Sequence, residues 1–175
     1  MESGGALVVL GRNGAGKSSL LRMIAGLVRI AAGHLVLEGG DPQLTLAEQA
    51  HYLGHQDAVK PSLTVAENLA FWMRYFGGTE TVRALATVGL DTLADLPAAY
   101  LSAGQRRRLS IARLIAVPRS VWLLDEPTSA LDTAAQVRLA DVMRDHRAGG
   151  GIILAAAHGP IGLERAKELR LGAGT

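Results

Sequence analysis

The sequence predicts an α/β domain whose core is a mostly parallel β-sheet, with a helical subdomain inserted into it. Short apolar runs of strand length recur along the chain, separated by amphipathic segments long enough to form helices. Glycines stand at the joints between these runs, where tight turns need residues that tolerate positive φ. The middle of the chain differs, because its apolar residues follow helical spacing and no β-branched run occurs there.

Length and composition limit the possible architectures. The chain has 175 residues, of which 49% are hydrophobic and 19% are charged, a balance typical of one globular domain. We therefore expect a single domain over residues 1–175, with residues 1–63 and 118–175 forming the α/β core and residues 64–117 forming the helical subdomain. Cysteine is absent, which excludes disulfides, thiolate catalysis and cysteine-ligated metal centres.

Charge and hydropathy argue against two further classes of protein. The net charge of +2 is too small to produce the field typical of nucleic-acid-binding proteins, so no nucleic-acid partner is expected. The longest mostly apolar stretch, residues 149–163, is too short to span a bilayer and is interrupted by His158 and Pro160. The first residues include an acid and no basic segment, so we expect no secretion signal.

The first predicted strand, Leu7–Leu10, leads into a glycine-rich turn and then into a helical pattern. The turn matches the motif G-x-x-x-x-G-K-[ST], and its residues are Gly11, Arg12, Asn13, Gly14, Ala15, Gly16, Lys17 and Ser18, followed by Ser19. Such a loop directs backbone N–H groups and a helix N-terminus at phosphates, with Lys17 on the β- and γ-phosphates and Ser18 able to bind Mg²⁺. The alternative, a strand–helix turn without a ligand, is disfavoured by this strand–loop–helix context. The sequence therefore predicts a nucleotide-binding P-loop.

A second short strand is predicted at Leu35–Leu37, and a helix is predicted to begin after Thr64. Thr64 and Glu67 have the spacing of a capping box. The apolar residues that follow share one helical face: Val65, Leu69, Trp72, Met73 and Phe76. The Trp72 and Phe76 end of this face fits either a partner-docking surface or the core, and the usual behaviour of helical stripes favours the core.

Two acidic residues follow the third predicted strand, Val121–Leu124. A parallel strand delivers the residues at its C-terminal end to a ligand crevice. Asp125 is expected to hold Mg²⁺, directly or through water, and Glu126 to act as the general base on an attacking water. An acidic pair in this position is often only a solvated strand end, but the P-loop upstream favours the functional interpretation. A fourth strand is predicted at Ile152–Ala156.

The stretch Leu101-Ser102-Ala103-Gly104-Gln105 stands between the P-loop and the acidic pair. In this order the three motifs resemble those of ABC-transporter ATPases, and the resemblance covers essentially the whole chain. It implies a P-loop NTPase fold of the ABC type, in which this signature opens a helix whose N-terminus faces the γ-phosphate bound by the other subunit. The resemblance therefore implies that Ser102, Gly104 and Gln105 complete an ATP site in trans, in an ATP-sandwich dimer of two copies.

Two further residues match the family by position. Gln56 is similar to the Q-loop glutamine that senses Mg²⁺ and couples to the membrane subunit, and His158 is similar to the switch histidine that contacts the γ-phosphate. The resemblance thus implies catalytic roles for Glu126, His158 and Gln56, with metal ligation by Ser18, Gln56 and Asp125. Ala103 replaces a glycine of the usual signature, which we expect to be tolerated if its φ is negative.

A finer resemblance is to the ATPase subunits of the haem exporters used in c-type cytochrome biogenesis. It is carried by residues 52–56, by Lys60 with residues 63–69, and by residues 101–108. It implies a motor that couples ATP hydrolysis to transport, has integral membrane permease subunits as partners, and lies peripherally on the cytoplasmic face of the bacterial inner membrane. The alternatives are the ATPase of another small ABC exporter and a soluble ABC ATPase that does not act in transport.

Two features of the sequence are compatible with more than one interpretation. The cluster Arg106-Arg107-Arg108 is either a solvated helix face or part of the interface with the membrane subunit. The family normally has two strands and an adenine-stacking aromatic residue before the P-loop strand, whereas residues 1–10 contain no aromatic residue. We expect about 15–25 further residues upstream to supply them, and without them an exposed apolar edge beside Leu7–Leu10 and weak adenine binding.

Overall fold

The structure is a computed structural model that describes residues 1–78 and 81–172. By its internal contacts the chain divides into two compact units. The first comprises Met1–His55, Arg119–Pro127 and Met143–Thr175, and the second comprises Gln56–Pro118 and Thr128–Val142. Besides the residues 64–117 that were expected as the helical subdomain, the second unit includes residues 56–63, Pro118 and Thr128–Val142.

A five-stranded sheet forms the centre of the first unit. Its strands are β1 (Ala6–Gly11), β2 (Ala50–Leu53), β3 (Val121–Asp125), β4 (Ile152–Ala156) and β5 (Lys167–Leu171). They lie in the order β2-β3-β4-β1-β5, and each neighbouring pair runs parallel. The strands predicted at residues 7–10, 121–124 and 152–156 are therefore confirmed as β1, β3 and β4.

The strand predicted at Leu35–Leu37 is wrong. This segment is irregular, and Leu35 and Val36 are 42% and 70% exposed. A strand needs a neighbour to satisfy its backbone hydrogen bonds, and within residues 1–78 and 81–172 no ladder includes this segment. An apolar run without a pairing partner stays outside the sheet.

The strand β1 lies inside the sheet, where β4 pairs with one side and β5 with the other. The exposed apolar edge expected beside this strand is therefore also wrong. The outer position belongs to β5, whose sequence includes Lys167, Glu168 and Arg170 and whose residues are mostly exposed. Charged residues on an edge strand discourage pairing with another chain.

The helix α1 (Lys17–Ile24) directly follows the P-loop and packs on the sheet through Leu21 and Ile24. The buried cluster at this contact consists of Leu21, Ile24, Ala50, Val121, Leu123 and Ala156. Burying a leucine or isoleucine side chain in this way contributes about 1.5–3 kcal/mol. The packing therefore fixes the direction of α1 and, with it, the end of the P-loop.

Helices dominate the second unit. They are α2 (Val65–Phe76), α3 (Thr81–Thr87), α4 (Ala103–Ala116) and the first part of α5 (Thr133–Ala148), with short 3₁₀ turns at Asp91–Leu93 and Ala98–Tyr100; a third 3₁₀ turn, Ala47–Gln49, belongs to the first unit. The predicted capping box is confirmed, because the Thr64 hydroxyl accepts from the Glu67 N–H and the Glu67 carboxylate accepts from the Thr64 N–H. Across residues 1–78 and 81–172, no helix has the length and apolarity needed to cross a membrane.

The aromatic end of α2 is partly buried. Val65 and Leu69 are fully buried, Trp72 is intermediate, and the Arg113 guanidinium lies 4.7 Å from the centroid of the Trp72 ring. A cation over an indole face is an attractive contact that also shields the ring from water. The structure thus places Trp72 against the second unit's own residues, in agreement with the core interpretation.

The arginine cluster of α4 is held within the second unit. Arg107 is 3% exposed, and its guanidinium lies 3.3 Å from the Asp57 carboxylate. Arg108 donates hydrogen bonds to the Val88 and Gly89 carbonyls at 3.0 and 2.9 Å. The solvated-face interpretation is therefore wrong for Arg107, because a buried guanidinium requires a paired carboxylate that the sequence pattern did not reveal.

One histidine of the first unit, His146, is partly buried in its neutral form. The His146 imidazole stacks on Trp122 with ring centroids 3.8 Å apart and an interplanar angle of 8°. Burial lowers the pKa of His146 to about 4, partly offset by backbone hydrogen bonds at Ile152 and Ser120. Protonation of this ring therefore opposes folding.

Stability is expected to fall on mild acidification because of His146. A histidine in the unfolded chain has a pKa of about 6.5, so the unfolded state binds more protons than the folded state between that pH and about 4. The stabilisation is complete above pH 6.5 and is lost as the pH falls toward 4. After allowance for solvent screening of a partly exposed ring, we expect a loss of about 1–2 kcal/mol, measured by urea unfolding across this range.

The substitution His146→Phe keeps a flat ring on Trp122 and removes the titrating group, so it is expected to reduce the pH dependence of unfolding. The matched control is His34→Gln, which changes an exposed histidine and should leave the pH dependence as it is in the parent chain. An unchanged slope in His146→Phe would show that other groups carry the acid sensitivity.

Candidate active site

The predicted site residues of the first unit lie at or just after the C-terminal ends of parallel strands. Ala156 at the end of β4 is in register with Val9 of β1 and with Asp125 of β3. The P-loop after β1, the acidic pair at the end of β3 and His158 after β4 therefore meet at one edge of the sheet. This is the edge at which open α/β sheets bind ligands.

The P-loop ends at a left-handed residue that caps α1. Gly16 has φ 97° and serves as the N-cap, a conformation that residues with a side chain rarely adopt. Because glycine supplies no side-chain acceptor, the first N–H groups of α1 are not occupied by a side chain of the cap. This end of α1, which carries Lys17, Ser18 and Ser19, can therefore receive an anion.

The Lys17 ammonium lies over the P-loop. Its Nζ donates to the carbonyl oxygens of Gly11 at 2.8 Å and Arg12 at 3.3 Å, and it lies 3.4 Å from Nε2 of His158. The residue is only 8% exposed. The structure thus holds a positive charge inside the loop that is predicted to bind phosphates.

Asp125 is buried at the end of β3, with 3% exposure. The Ser18 hydroxyl donates to its Oδ1 at 3.0 Å, and the Tyr52 hydroxyl donates to its Oδ2 at 3.3 Å. Burial raises the pKa of Tyr52, so the phenol remains a neutral donor. On the far side of the phenol, Arg22 Nε donates to the Tyr52 oxygen at 3.3 Å.

Sequence reasoning assigned no role to Tyr52 or Arg22. Their contact with the site depends on β2 lying beside β3, where Tyr52 pairs with Leu123, and β2 was not among the predicted strands. The sequence offered one indication that Arg22 lies near the site. It is four residues after Ser18 on α1, and residues at this spacing share a helical face.

Glu126 has a backbone conformation that is uncommon for its residue type. Its φ is 48°, and its N–H donates to the Ala156 carbonyl at 2.9 Å. A non-glycine residue in this region costs about 1–3 kcal/mol and persists only when the surroundings enforce it. The turn directs the carboxylate at His158, whose Nε2 lies 3.4 Å from Glu126 Oε1.

A cleft of about 350 Å³ opens between these groups. Its lining consists of Asn13, Gly14, Gly16, Lys17, Ser18, Ser19, Asp125, Glu126 and His158. The part of the chain that the structure describes contains no cluster of three or more acidic or histidine residues that could hold a metal by itself. The Ser18 hydroxyl and the Asp125 carboxylate are nevertheless the hard oxygen donors that suit Mg²⁺ when phosphate oxygens complete its coordination.

The remaining predicted site residues belong to the second unit. Ser102 is the exposed N-cap of α4, where its hydroxyl accepts from the Gln105 N–H at 3.2 Å and the Gln105 side chain accepts from the Ser102 N–H at 2.8 Å. Gly104 is the second residue of this helix, and Ala103 before it has no positive φ, as its tolerance requires. Gln56 is exposed at the start of this unit.

Comparison with known proteins identifies the family to which the chain belongs. The family described as ABC transporter matches residues 1–129, more than half of the chain. The chain belongs to this family. This chain is therefore an ABC ATPase that binds ATP, and the predicted family and fold are confirmed.

The relatives of this ABC ATPase include proteins named "Cytochrome c biogenesis ATP-binding export protein CcmA". The one from Nitrobacter winogradskyi is 66% identical over 173 residues, which cover 98% of this chain and 86% of the relative. The one from Bradyrhizobium diazoefficiens is 59% identical over 172 residues, covering 97% and 86%. The one from Mesorhizobium japonicum is 53% identical over 175 residues, covering 98% and 87%.

Solved structures of ABC subunits share the fold of this ATPase. A structure described as the ATP binding subunit of an ABC transporter has a TM-score of 0.85 at 25% identity and covers 97% of this chain and 75% of its own. A putative ABC transporter ATP-binding protein from Pyrococcus furiosus has a TM-score of 0.82 at 21% identity, with 98% and 86% covered. The second of these supports the fold alone.

Proposed function

We propose that this chain is the ATP-hydrolysing motor of a membrane export complex that serves c-type cytochrome biogenesis. The observation that carries the proposal is the single cleft in which Lys17, Ser18, Asp125, Glu126 and His158 lie together. The names of relatives that are 53–66% identical supply the biological process. Haem, the cargo implied by the sequence resemblance, is part of this proposal.

The P-loop is proposed to hold the phosphates of ATP. Backbone N–H groups of residues 11–16 and the first turn of α1 supply a preformed anion site. Lys17 donates to the Gly11 and Arg12 carbonyls and is proposed to contact the β- and γ-phosphates. Arg12 and Asn13 are exposed in the loop, and Asn13 and Ser19 line the cleft.

Magnesium fits the donor set of this cleft. Ser18 and Asp125 are proposed as its protein ligands because their oxygens lie 3.0 Å apart and the carboxylate is buried. Gln56 is proposed as a third contributor on the basis of the family resemblance. When bound, Mg²⁺ neutralises charge on the β- and γ-phosphates and orients them.

Glu126 is proposed as the general base. Its carboxylate accepts a proton from water as the water oxygen bonds to the γ-phosphorus and the bond to the β-phosphate oxygen breaks, which yields ADP and phosphate. His158, with its Nε2 3.4 Å from Glu126 Oε1, orients this carboxylate and is proposed to contact the γ-phosphate. Most of the acceleration comes from positioning and charge neutralisation.

A second copy of the chain is proposed to complete the site. Ser102 is exposed and Gly104 and Gln105 are partly exposed at the beginning of α4, whose N-terminus is a suitable anion clamp for a γ-phosphate bound by the other copy. Integral membrane permease subunits are the proposed further partners. They would hold the chain peripherally at the cytoplasmic face of the bacterial inner membrane.

Loss of the gene in its native host tests this function. We expect c-type cytochromes to lose their covalent haem, seen as missing bands in haem-stained gels, and the wild-type chain but not Glu126→Gln to restore them. Purification of a tagged chain from the same host should yield integral membrane permeases. Normal c-type cytochromes in the deletion strain would instead favour another small exporter or an ABC ATPase outside transport.

A further inference from the structure

Asp125 is held from two sides by groups of different origin. Ser18, on the side of the P-loop, donates to Oδ1, whereas Tyr52, from the neighbouring strand β2, donates to Oδ2. A carboxylate turns easily about its terminal torsion, whose energy wells are broad. Fixing Oδ2 on the phenol therefore also fixes the direction in which Oδ1 points.

The Tyr52 phenol also accepts a hydrogen bond from Arg22. Arg22 Nε donates to the Tyr52 oxygen at 3.3 Å, which leaves the phenolic proton for Asp125. Arg22 lies one helical turn after Ser18 on α1, so the same helix supports both ends of the arrangement. The donors run in one direction, from the guanidinium to the phenol and from the phenol to the carboxylate.

The absence of a side chain at Gly54 leaves room for the Tyr52 ring. A Cβ atom at position 54 would lie 2.8 Å from Cε1 and 3.2 Å from the hydroxyl oxygen of Tyr52. A methyl group there would displace the ring, because real Cβ contacts are not this short. The glycine two residues after the tyrosine is therefore explained by the room that the ring needs.

We propose that Tyr52 is a positioning residue that orients Asp125 toward the magnesium ion of Mg·ATP, with Arg22 holding the phenol and Gly54 leaving space for its ring. This inference rests on the proposed function, because it concerns the ligand that Asp125 presents in that reaction. Hydrogen bonds behind a metal ligand preorganise the site and are worth about 10–100-fold in metal affinity or activity when removed.

The decisive variant is Tyr52→Phe, which keeps the ring against Gly54 and removes only the hydroxyl. The readout besides activity is equilibrium binding of a fluorescent ATP analogue to the purified chain, in EDTA and across a Mg²⁺ titration. We expect unchanged affinity in EDTA and a rise of about 10-fold in the Mg²⁺ concentration needed for half-maximal tightening. In turnover, the same shift should appear in the Mg²⁺ dependence, with KM for ATP at saturating Mg²⁺ nearly unchanged.

Two further variants separate positioning from packing. Gly54→Ala displaces the ring and should shift the Mg²⁺ dependence in the same direction as Tyr52→Phe. Arg22→Gln changes an exposed side chain and should give a smaller shift of the same sign. The matched control is Tyr75→Phe, which removes the hydroxyl of a tyrosine that is 71% exposed on α2 and should change nothing.

The outcomes are distinct. Wild-type Mg²⁺ dependence in folded Tyr52→Phe overturns the inference while leaving the proposed function intact. If Tyr52→Phe fails to fold, Arg22→Gln decides, and an unchanged Mg²⁺ dependence in that variant overturns the inference. Absence of Mg²⁺-dependent nucleotide binding and hydrolysis in the parent chain overturns the proposed function instead.

Discussion

Replacing Glu126 with glutamine is expected to leave ATP binding close to normal while lowering hydrolysis by about 10²–10⁴-fold. The amide keeps the size of the side chain and can still meet His158, but it cannot accept a proton from water. A stable ATP-bound dimer should therefore accumulate. Phosphate release under single-turnover conditions measures the loss, and size-exclusion chromatography with ATP detects the dimer.

The control for this substitution is Glu164→Gln, which makes the same chemical change at an exposed glutamate of the first unit. It should retain the parent rate. Turnover of Glu126→Gln at the parent rate would show that Glu126 is not the base and that the acidic pair after β3 has another role.

The substitution Ser102→Arg is expected to abolish turnover while ATP binding by the P-loop persists. The new side chain fills the start of α4 with bulk and flexible charge, at the place proposed for the γ-phosphate bound by the other copy. The change also removes the hydroxyl cap of α4, a loss of about 1 kcal/mol. Ser102→Ala removes the same cap without bulk, so it should keep substantially more activity than Ser102→Arg.

Mixing tests whether the site is shared between copies. Lys17→Ala damages the P-loop and leaves α4 intact, whereas Ser102→Arg does the reverse. A mixed dimer then contains one site in which both defects meet and one site free of both, so mixing two inactive proteins should restore activity. Ser62→Arg, at another exposed serine of the second unit, controls for the added charge. A mixture as inactive as its components would contradict a composite site.

The sequence predicted those parts of the site whose chemistry is local. The P-loop is one continuous stretch, and Asp125 and Glu126 directly follow a buried apolar run, so motif and strand end together indicate their place. The shared edge at which they meet His158 follows from the parallel order of β1, β3 and β4.

The parts that were missed depend on contacts between distant segments. The segment Leu35–Leu37 has the composition of a strand, but composition does not supply a pairing partner. Conversely, β5 is mostly exposed and partly charged, so its composition does not indicate a strand. Its backbone nevertheless pairs with β1. In the sequence, Arg107 is one of three consecutive arginines that cannot be told apart. Only the structure shows that Arg107 is buried and paired with Asp57.

The hydrogen bonds of Lys17 bear on how variants at this position are interpreted. In the structure its ammonium donates hydrogen bonds to two carbonyls at the start of the loop. A variant without the ammonium loses two interactions at once. One is the proposed electrostatic contact with the polyphosphate, and the other is the pair of hydrogen bonds that limits the conformational entropy of the loop. Amide hydrogen exchange of residues 11–16 in Lys17→Ala, measured without ATP, should therefore be faster than in the parent chain. The ATP affinity lost by that variant should then include the entropy cost of ordering the loop, so the loss would overstate the strength of the proposed lysine–phosphate contact itself.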